Sequence, residues 1–122
     1  MILADTSIWI DHFRNGNAEL ANQLERHNIC IHSAIIGEIA LGSLKDRELV
    51  IGLLESLPHS PDVSHDEVMK GIEIQSLYSR GIGYVDAQLA LSCLLDRNII
   101  FWTTDRRLAQ VCEDIGVRTF SG

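Results

Sequence analysis

Residues Ile99–Gln110 read IIFWTTDRRLAQ, and this stretch decides the fold. Ile99 to Trp102 is an apolar run short enough to be one buried strand. Two threonines and Asp105 follow, and a helix begins at Arg106, running to Ile115. Gly116 ends that helix before a last apolar strand, Val117 to Phe120. An aspartate at a strand-to-helix junction has two uses. It caps the helix, or it aims a negative charge at a pocket outside the strand's carboxyl end.

The amino terminus repeats the arrangement. Ile2-Leu3-Ala4 is a short strand ending at Asp5, and a helix follows from Ser7 to Arg14 with Trp9 and Phe13 four residues apart. After the turn Asn15-Gly16-Asn17, a second helix spans Ala18 to Arg26. Ile29 to Ile31 is a strand, and Ser33 is placed to cap a helix from Ala34 to about Leu41. Leu49, Val50, Leu53, Leu54 and Leu57 form a helical stripe stopped by Pro58, and residues Pro58 to Val63 fit a loop or a short edge strand. Ser64 and Glu67 have capping-box spacing and open a helix to about Arg80. Gly81-Ile82-Gly83 breaks it, and Val85 to Arg97 is helical again. Strands interleaved with helices predict an α/β fold with a mostly parallel sheet covered on both faces. No linker, repeat or low-complexity tract divides residues 1–122, so one domain is expected.

Composition narrows the class. Hydrophobic residues make up 46% and charged residues 22% of the 122, an ordinary globular balance. The longest stretch without an acid, lysine or arginine is His27 to Gly37, far short of the about 20 residues a membrane span needs. The start, MILADTSIW, lacks the basic region of a secretory signal. Cys30, Cys93 and Cys112 are odd in number, lie in apolar segments and have no C-x-x-C spacing, which predicts buried thiols in a reducing cytoplasm. The net charge is −7, with 17 acids against 10 bases. A protein that coats nucleic acid is usually basic, because neutralising phosphates supplies most of its affinity. A polyanionic substrate therefore requires bound metal ions or a small arginine cluster to reverse the sign locally.

The acids are not evenly spread. Asp5 and Asp105 each stand at a strand's carboxyl end. Glu38 lies three residues after Ile35 and three before Leu41, which predicts a carboxylate within the apolar stripe of its helix. Asp86 has Leu89, Ala90 and Cys93 as its i+3, i+4 and i+7 neighbours. A buried carboxylate costs several kcal/mol unless it is protonated, paired or bound to metal. A salt bridge to a core arginine is the structural alternative. Four converging carboxylates without an obvious cationic partner suit a hard divalent ion, Mg²⁺ or Mn²⁺. Such an ion activates water and neutralises charge on a phosphate.

The segments MILADTSIWID, IIGEIALG, GYVDAQLA and WTTDRRLA, in this order, resemble the four motifs of PIN-domain ribonucleases, and the chain is similar to the small VapC-type toxins of bacterial toxin–antitoxin pairs. The resemblance implies a three-layer α/β/α sandwich and cleavage of single-stranded or loop RNA with Mg²⁺ or Mn²⁺. It matches Asp5, Glu38, Asp86 and Asp105 to the family's acidic quartet, with Thr6 and Thr103 at supporting polar positions. It also implies a homodimer and an antitoxin that silences the site, often with an arginine placed among the acids. Arg14, Arg80, Arg106 and Arg107 are candidate contacts for RNA phosphates. Relatives often carry another polar or acidic residue after the last motif aspartate; here that place holds Arg106.

Other readings meet obstacles. A response-regulator receiver needs paired acids after its first strand and a late lysine, but Thr6 follows Asp5 and the only lysines are Lys45 and Lys70. A haloacid-dehalogenase-type phosphatase needs D-x-D there, and Ser7 takes the third place. A metal-free ribonuclease would use two of His12, His27, His32, His59 and His65, which read instead as surface or strand-end residues. A PIN-like domain that only docks RNA or protein is the non-enzymatic alternative, and metal dependence of cleavage separates the two.

Overall fold

A computed structural model describes all 122 residues. Three short parallel strands form its centre: β1 (Ile2–Ala4), β2 (Ile29–Cys30) and β3 (Ile100–Trp102), in the order β2-β1-β3. Ile2 pairs with Ile29 and Ile100, and Leu3 with Cys30 and Phe101. Successive side chains of a strand point to opposite faces, and all three residues of β1 are buried, so both faces of the sheet are covered. That is the arrangement expected of parallel strands joined by helical crossovers.

Seven helices do the covering: α1 (Thr6–Asn15), α2 (Ala18–Glu25), α3 (Ser33–Ala40), α4 (Arg47–Ser56), α5 (His65–Ile74), α6 (Tyr84–Leu95) and α7 (Arg106–Asp114). Helix α1 packs on α2 and α3, α3 on α4, and α5 on α6, while α6 and α7 lie against β3. The main core gathers Ile2, Leu3, Ile8, Trp9, Ile35, Ile39, Leu89 and Phe101 around the sheet. A smaller core of Val63, Val68, Leu77, Ala87, Leu91 and Val111 lies where α5, α6 and α7 meet.

The expected outermost strands shrink to single bridges. Ile31 pairs with His59 and Phe101 with Thr119, both parallel. The segments His59 and Thr119 thus cap the sheet edges with one residue each. Such short edges offer little template for pairing with another chain.

Three local expectations need correction. Helix α3 is capped by His32, whose Nδ1 accepts from the Ala34 amide at 3.0 Å, and not by Ser33, whose hydroxyl donates to Asp62 at 2.6 Å. His32, expected to be a surface or strand-end residue, stands at a strand end and is buried, 2% exposed. Helix α5 keeps its Ser64–Glu67 capping box but stops at Ile74, six residues before Arg80. Ser76 and Ser79 take left-handed φ values of 53° and 59°, and Leu77 turns inward to the smaller core with its amide on the Ile72 carbonyl. Burying one leucine outweighs continuing the helix. Helix α6 begins at Tyr84 and ends at Leu95, slightly earlier at both ends than its periodicity predicts.

Candidate active site

The carboxyl ends of β1 and β3 stand side by side, because the Asp5 amide donates to the Trp102 carbonyl at 2.8 Å. Asp5 and Thr103 therefore leave the sheet together. The Thr103 hydroxyl donates to Asp5 Oδ2 at 2.9 Å and accepts from the Asp105 amide at 3.1 Å. The Thr6 amide donates to Asp5 Oδ1 at 2.8 Å, while the Thr6 hydroxyl donates to Glu38 Oε1 at 2.6 Å. One continuous chain of contacts thus joins Glu38, Thr6, Asp5, Thr103 and Asp105.

Asp105 does cap its helix. Its Oδ1 accepts from the Arg107 and Leu108 amides at 3.0 and 3.2 Å, which leaves Oδ2 uncommitted to the cap. Asp86 is held in the same manner at the start of α6, where its Oδ2 accepts from the Gly83 amide at 3.1 Å. The capping role and a role in the site are compatible, since each carboxylate uses one oxygen for the fold.

Burial differs among the four. Asp5 and Asp86 are half-buried, whereas Glu38 and Asp105 are exposed. The expectation that Glu38 sits within an apolar stripe is corrected here. Ile35, Ile36 and Ile39 form the buried face of α3, and at 3.6 residues per turn Glu38 projects about 100° from its middle, on the rim. No core arginine pairs with any of the four; the two ion pairs are His32–Asp62 and Arg80–Asp114.

The electrostatics follow the burial. Desolvation raises the Asp5 pKa above its usual value, the hydrogen bonds from Thr103 and Thr6 oppose it, and the charges of Asp86 and Glu38 raise it further. Behind the site, the fully buried Cys112 thiol is pushed up to about 12, by burial first and then by Asp5 and Asp86. All three cysteines are free, buried thiols, as their apolar settings predict.

The donor set is oxygen only, which suits a hard divalent ion. No three of these side chains close on a single point, and each carboxylate oxygen not held by the backbone or a threonine stays open. Asp105 Oδ2, Asp86 Oδ1 and Glu38 Oε2 are the open oxygens that a largely hydrated ion such as Mg²⁺ would use.

The arginines divide. Arg80 is committed to Asp114 at 2.6 Å, which removes Arg80 from the free bases. Arg107 lies over Gly81, where φ is +77° and a Cβ would run into the guanidinium. Arg14 and Arg106 are exposed. One contact escaped the sequence reading: the Ser7 and Thr104 hydroxyls meet at 3.3 Å. The mirrored segments DTS and TTD, placed after adjoining strands, were its signal.

Comparison with known proteins gives the family. The family model for the PIN domain matches residues 2–114. This chain belongs to the PIN-domain family. It is 43% identical over 117 residues to Ribonuclease VapC32 from two strains of Mycobacterium tuberculosis, covering 96% of this chain and 94% of the relative. Among solved structures, FitAcB from Neisseria gonorrhoeae superposes with a TM-score of 0.67 at 15% identity, over 99% of this chain and 97% of that one. PAE2754 from Pyrobaculum aerophilum does so with a TM-score of 0.62 at 20% identity, over 90% and 83%. At those identities the structures speak for the α/β fold alone.

Proposed function

We propose that this PIN-domain chain is an endoribonuclease that hydrolyses RNA phosphodiester bonds with Mg²⁺ or Mn²⁺ and acts as the toxin of a type II toxin–antitoxin pair. The observation that carries the reading is the linked series Glu38–Thr6–Asp5–Thr103–Asp105 at the carboxyl ends of two adjoining strands, in a chain 43% identical to a protein named as a ribonuclease. A bound divalent ion supplies positive charge to the phosphate and makes water acidic enough to attack at neutral pH.

The chain's own residues prepare that event. Asp5, Glu38, Asp86 and Asp105 would hold the ion, Asp5 at the centre because both threonines steer it. Thr6 fixes Glu38 and Thr103 fixes Asp5, so the carboxylates need little reorganisation when the ion and substrate arrive. Arg107, Arg106 and Arg14 are the bases left for phosphates. An antitoxin arginine would enter the same acids by bidentate pairing, and a homodimer is the expected form of the toxin in the cytoplasm.

If water is the nucleophile, the RNA 2′-hydroxyl is not required for attack. Cleavage of RNA by the purified protein should stop in EDTA, return with Mn²⁺, and leave 5′-phosphate and 3′-hydroxyl ends, read by end-specific ligation and mass spectrometry. Products ending in 2′,3′-cyclic phosphate, formed in EDTA, would shift the chemistry to the histidines and end this reading.

A further inference from the structure

Resting on the ribonuclease reading, we propose that the cavity beside Asp86 seats one unpaired nucleobase of the RNA, with Tyr84 and Tyr78 as its stacking surfaces. The cavity holds about 230 Å³ between the end of α5, the loop after it and the start of α6, and Tyr78, Ser79, Ile82, Gly83 and Tyr84 line it. Clefts that take drug-sized ligands run from roughly 300 to 1,000 Å³. This one suits a single planar ring.

Its position ties it to the reaction. Gly83 lines the cavity, and the same residue donates its amide to Asp86 Oδ2. Tyr84 is the first residue of α6 and Asp86 the third. A base resting there brings its own phosphate to the acids.

The tyrosines are half-exposed, Tyr84 at 47% and Tyr78 at 57%. Tyr84 is also held. His65 stacks on it with ring centroids 5.7 Å apart and planes 21° from parallel, and His65 Nδ1 lies 2.8 Å from the Tyr84 hydroxyl. His65 is itself the first residue of α5, behind the Ser64–Glu67 capping box. The ring is ordered before a ligand arrives, so binding does not bear that entropy cost. The loop that supplies Tyr78 and Ser79 is fixed by its backbone: Ser76, Ser79 and Gly81 all have positive φ, and Leu77 is buried in the smaller core. Arg107 packs over Gly81 of that loop.

Charge favours a base over other ligands. A chain of net charge −7 gains little from phosphates alone, whereas stacking on an aromatic ring needs no opposite charge. Proteins read single-stranded RNA by stacking splayed bases on aromatic side chains, and each stack contributes about 1–3 kcal/mol.

Tyr78 and Tyr84 are the chain's only tyrosines, which gives a direct test. With 3-fluorotyrosine incorporated, both ¹⁹F resonances report on this cavity. In Mg²⁺, a short single-stranded RNA oligomer should shift both, and an abasic oligomer of equal length should shift neither. Tyr84→Leu should weaken RNA binding by roughly 5- to 150-fold, the range for losing one stacked base, and should appear in KM with kcat held. Tyr84→Phe keeps the ring but loses the hydroxyl that His65 Nδ1 meets, so it should lose less affinity than Tyr84→Leu. Equal shifts from the abasic oligomer, parental affinity in Tyr84→Leu, or shifts that follow protein concentration without RNA would each overturn the base seat; the last would assign the surface to a second copy. A parent that cleaves RNA while Tyr84→Leu matches its kinetics overturns the seat alone. A parent without metal-dependent cleavage overturns the ribonuclease reading, and the resonances still decide the seat.

Discussion

Asp5 is the residue on which the site turns, because burial and like charge both disfavour its ionised form. The consequence for stability has a definite sign. With a folded-state pKa above the ordinary 3.8, the folded protein binds more protons than the unfolded chain as pH rises from that value. Stability attributable to Asp5 therefore falls as pH increases through the window that begins there. Asp5→Asn cannot ionise and should lack this slope. Without metal at neutral pH the variant should be as stable as the parent or more so, by roughly 0.5–2 kcal/mol on the usual scale of such relief. It should also lose cleavage and most of the thermal shift that Mn²⁺ gives the parent. Urea unfolding in EDTA across pH, with melting curves in Mn²⁺, reads all of this. An apo loss of about 3 kcal/mol or more, with the Mn²⁺ shift intact, would make Asp5 a structural anchor.

At the scale of elements, the helices obey their caps and packing more closely than their periodicity. α5 begins where Ser64 and Glu67 dictate and ends where Leu77 finds the smaller core. α3 begins at a buried histidine because His32 Nδ1 reaches the Ala34 amide, a cap that residue preference places below serine. Two glycines show how packing overrides propensity. Gly52, inside α4, has nothing within 4 Å of where a Cβ would stand, so Gly52→Ala should gain about 0.5–1 kcal/mol from lost chain entropy and helix propensity. Gly71, inside α5, would drive its Cβ to 2.6 Å from Leu91 Cδ1 on α6, and Leu91 is itself buried. Gly71→Ala should therefore fall below Gly52→Ala by about 1–3 kcal/mol, the scale of overpacking. Denaturant midpoints of the two variants decide it, and equal gains would mean that the α5–α6 contact is slack.

The whole molecule carries −7 and has few bases to spend on a polyanion. Arg80 is paired with Asp114, which leaves Arg14, Arg106 and Arg107 among the candidates. Each phosphate neutralised on a single strand contributes a slope of about −0.7 to the dependence of log affinity on log salt, so three arginines predict about −2. Fluorescence anisotropy with single-stranded RNA at fixed Mg²⁺ and varied KCl measures that slope. A value of −4 or steeper would reveal a basic surface beyond these three residues.

Much of this protein was legible in its residues. The short apolar strands ending in Asp5 and Asp105, the Ser64–Glu67 cap and the isolated thiols are local signals, and a parallel α/β fold follows from their alternation. The four acids stood out as candidates too, because a carboxylate at a strand end or beside helical apolar positions is unusual in a chain of this composition. Tertiary structure alone decided the rest. Whether residues 58–63 and 117–120 become strands depends on neighbours across the sheet, which supply one bridge each. Glu38 lies on the rim because α3 turns Ile35, Ile36 and Ile39 to the core, a rotation that periodicity bounds only loosely. Arg80 is committed because Asp114, 34 residues away in sequence, comes within 2.6 Å of it. Glu38, Asp5 and Asp105 are likewise linked through Thr6 and Thr103, with the direct Thr103–Asp5 bond spanning 98 residues. Local patterns select which groups are available, but such long-range contacts exist only once the parallel strands align their carboxyl ends.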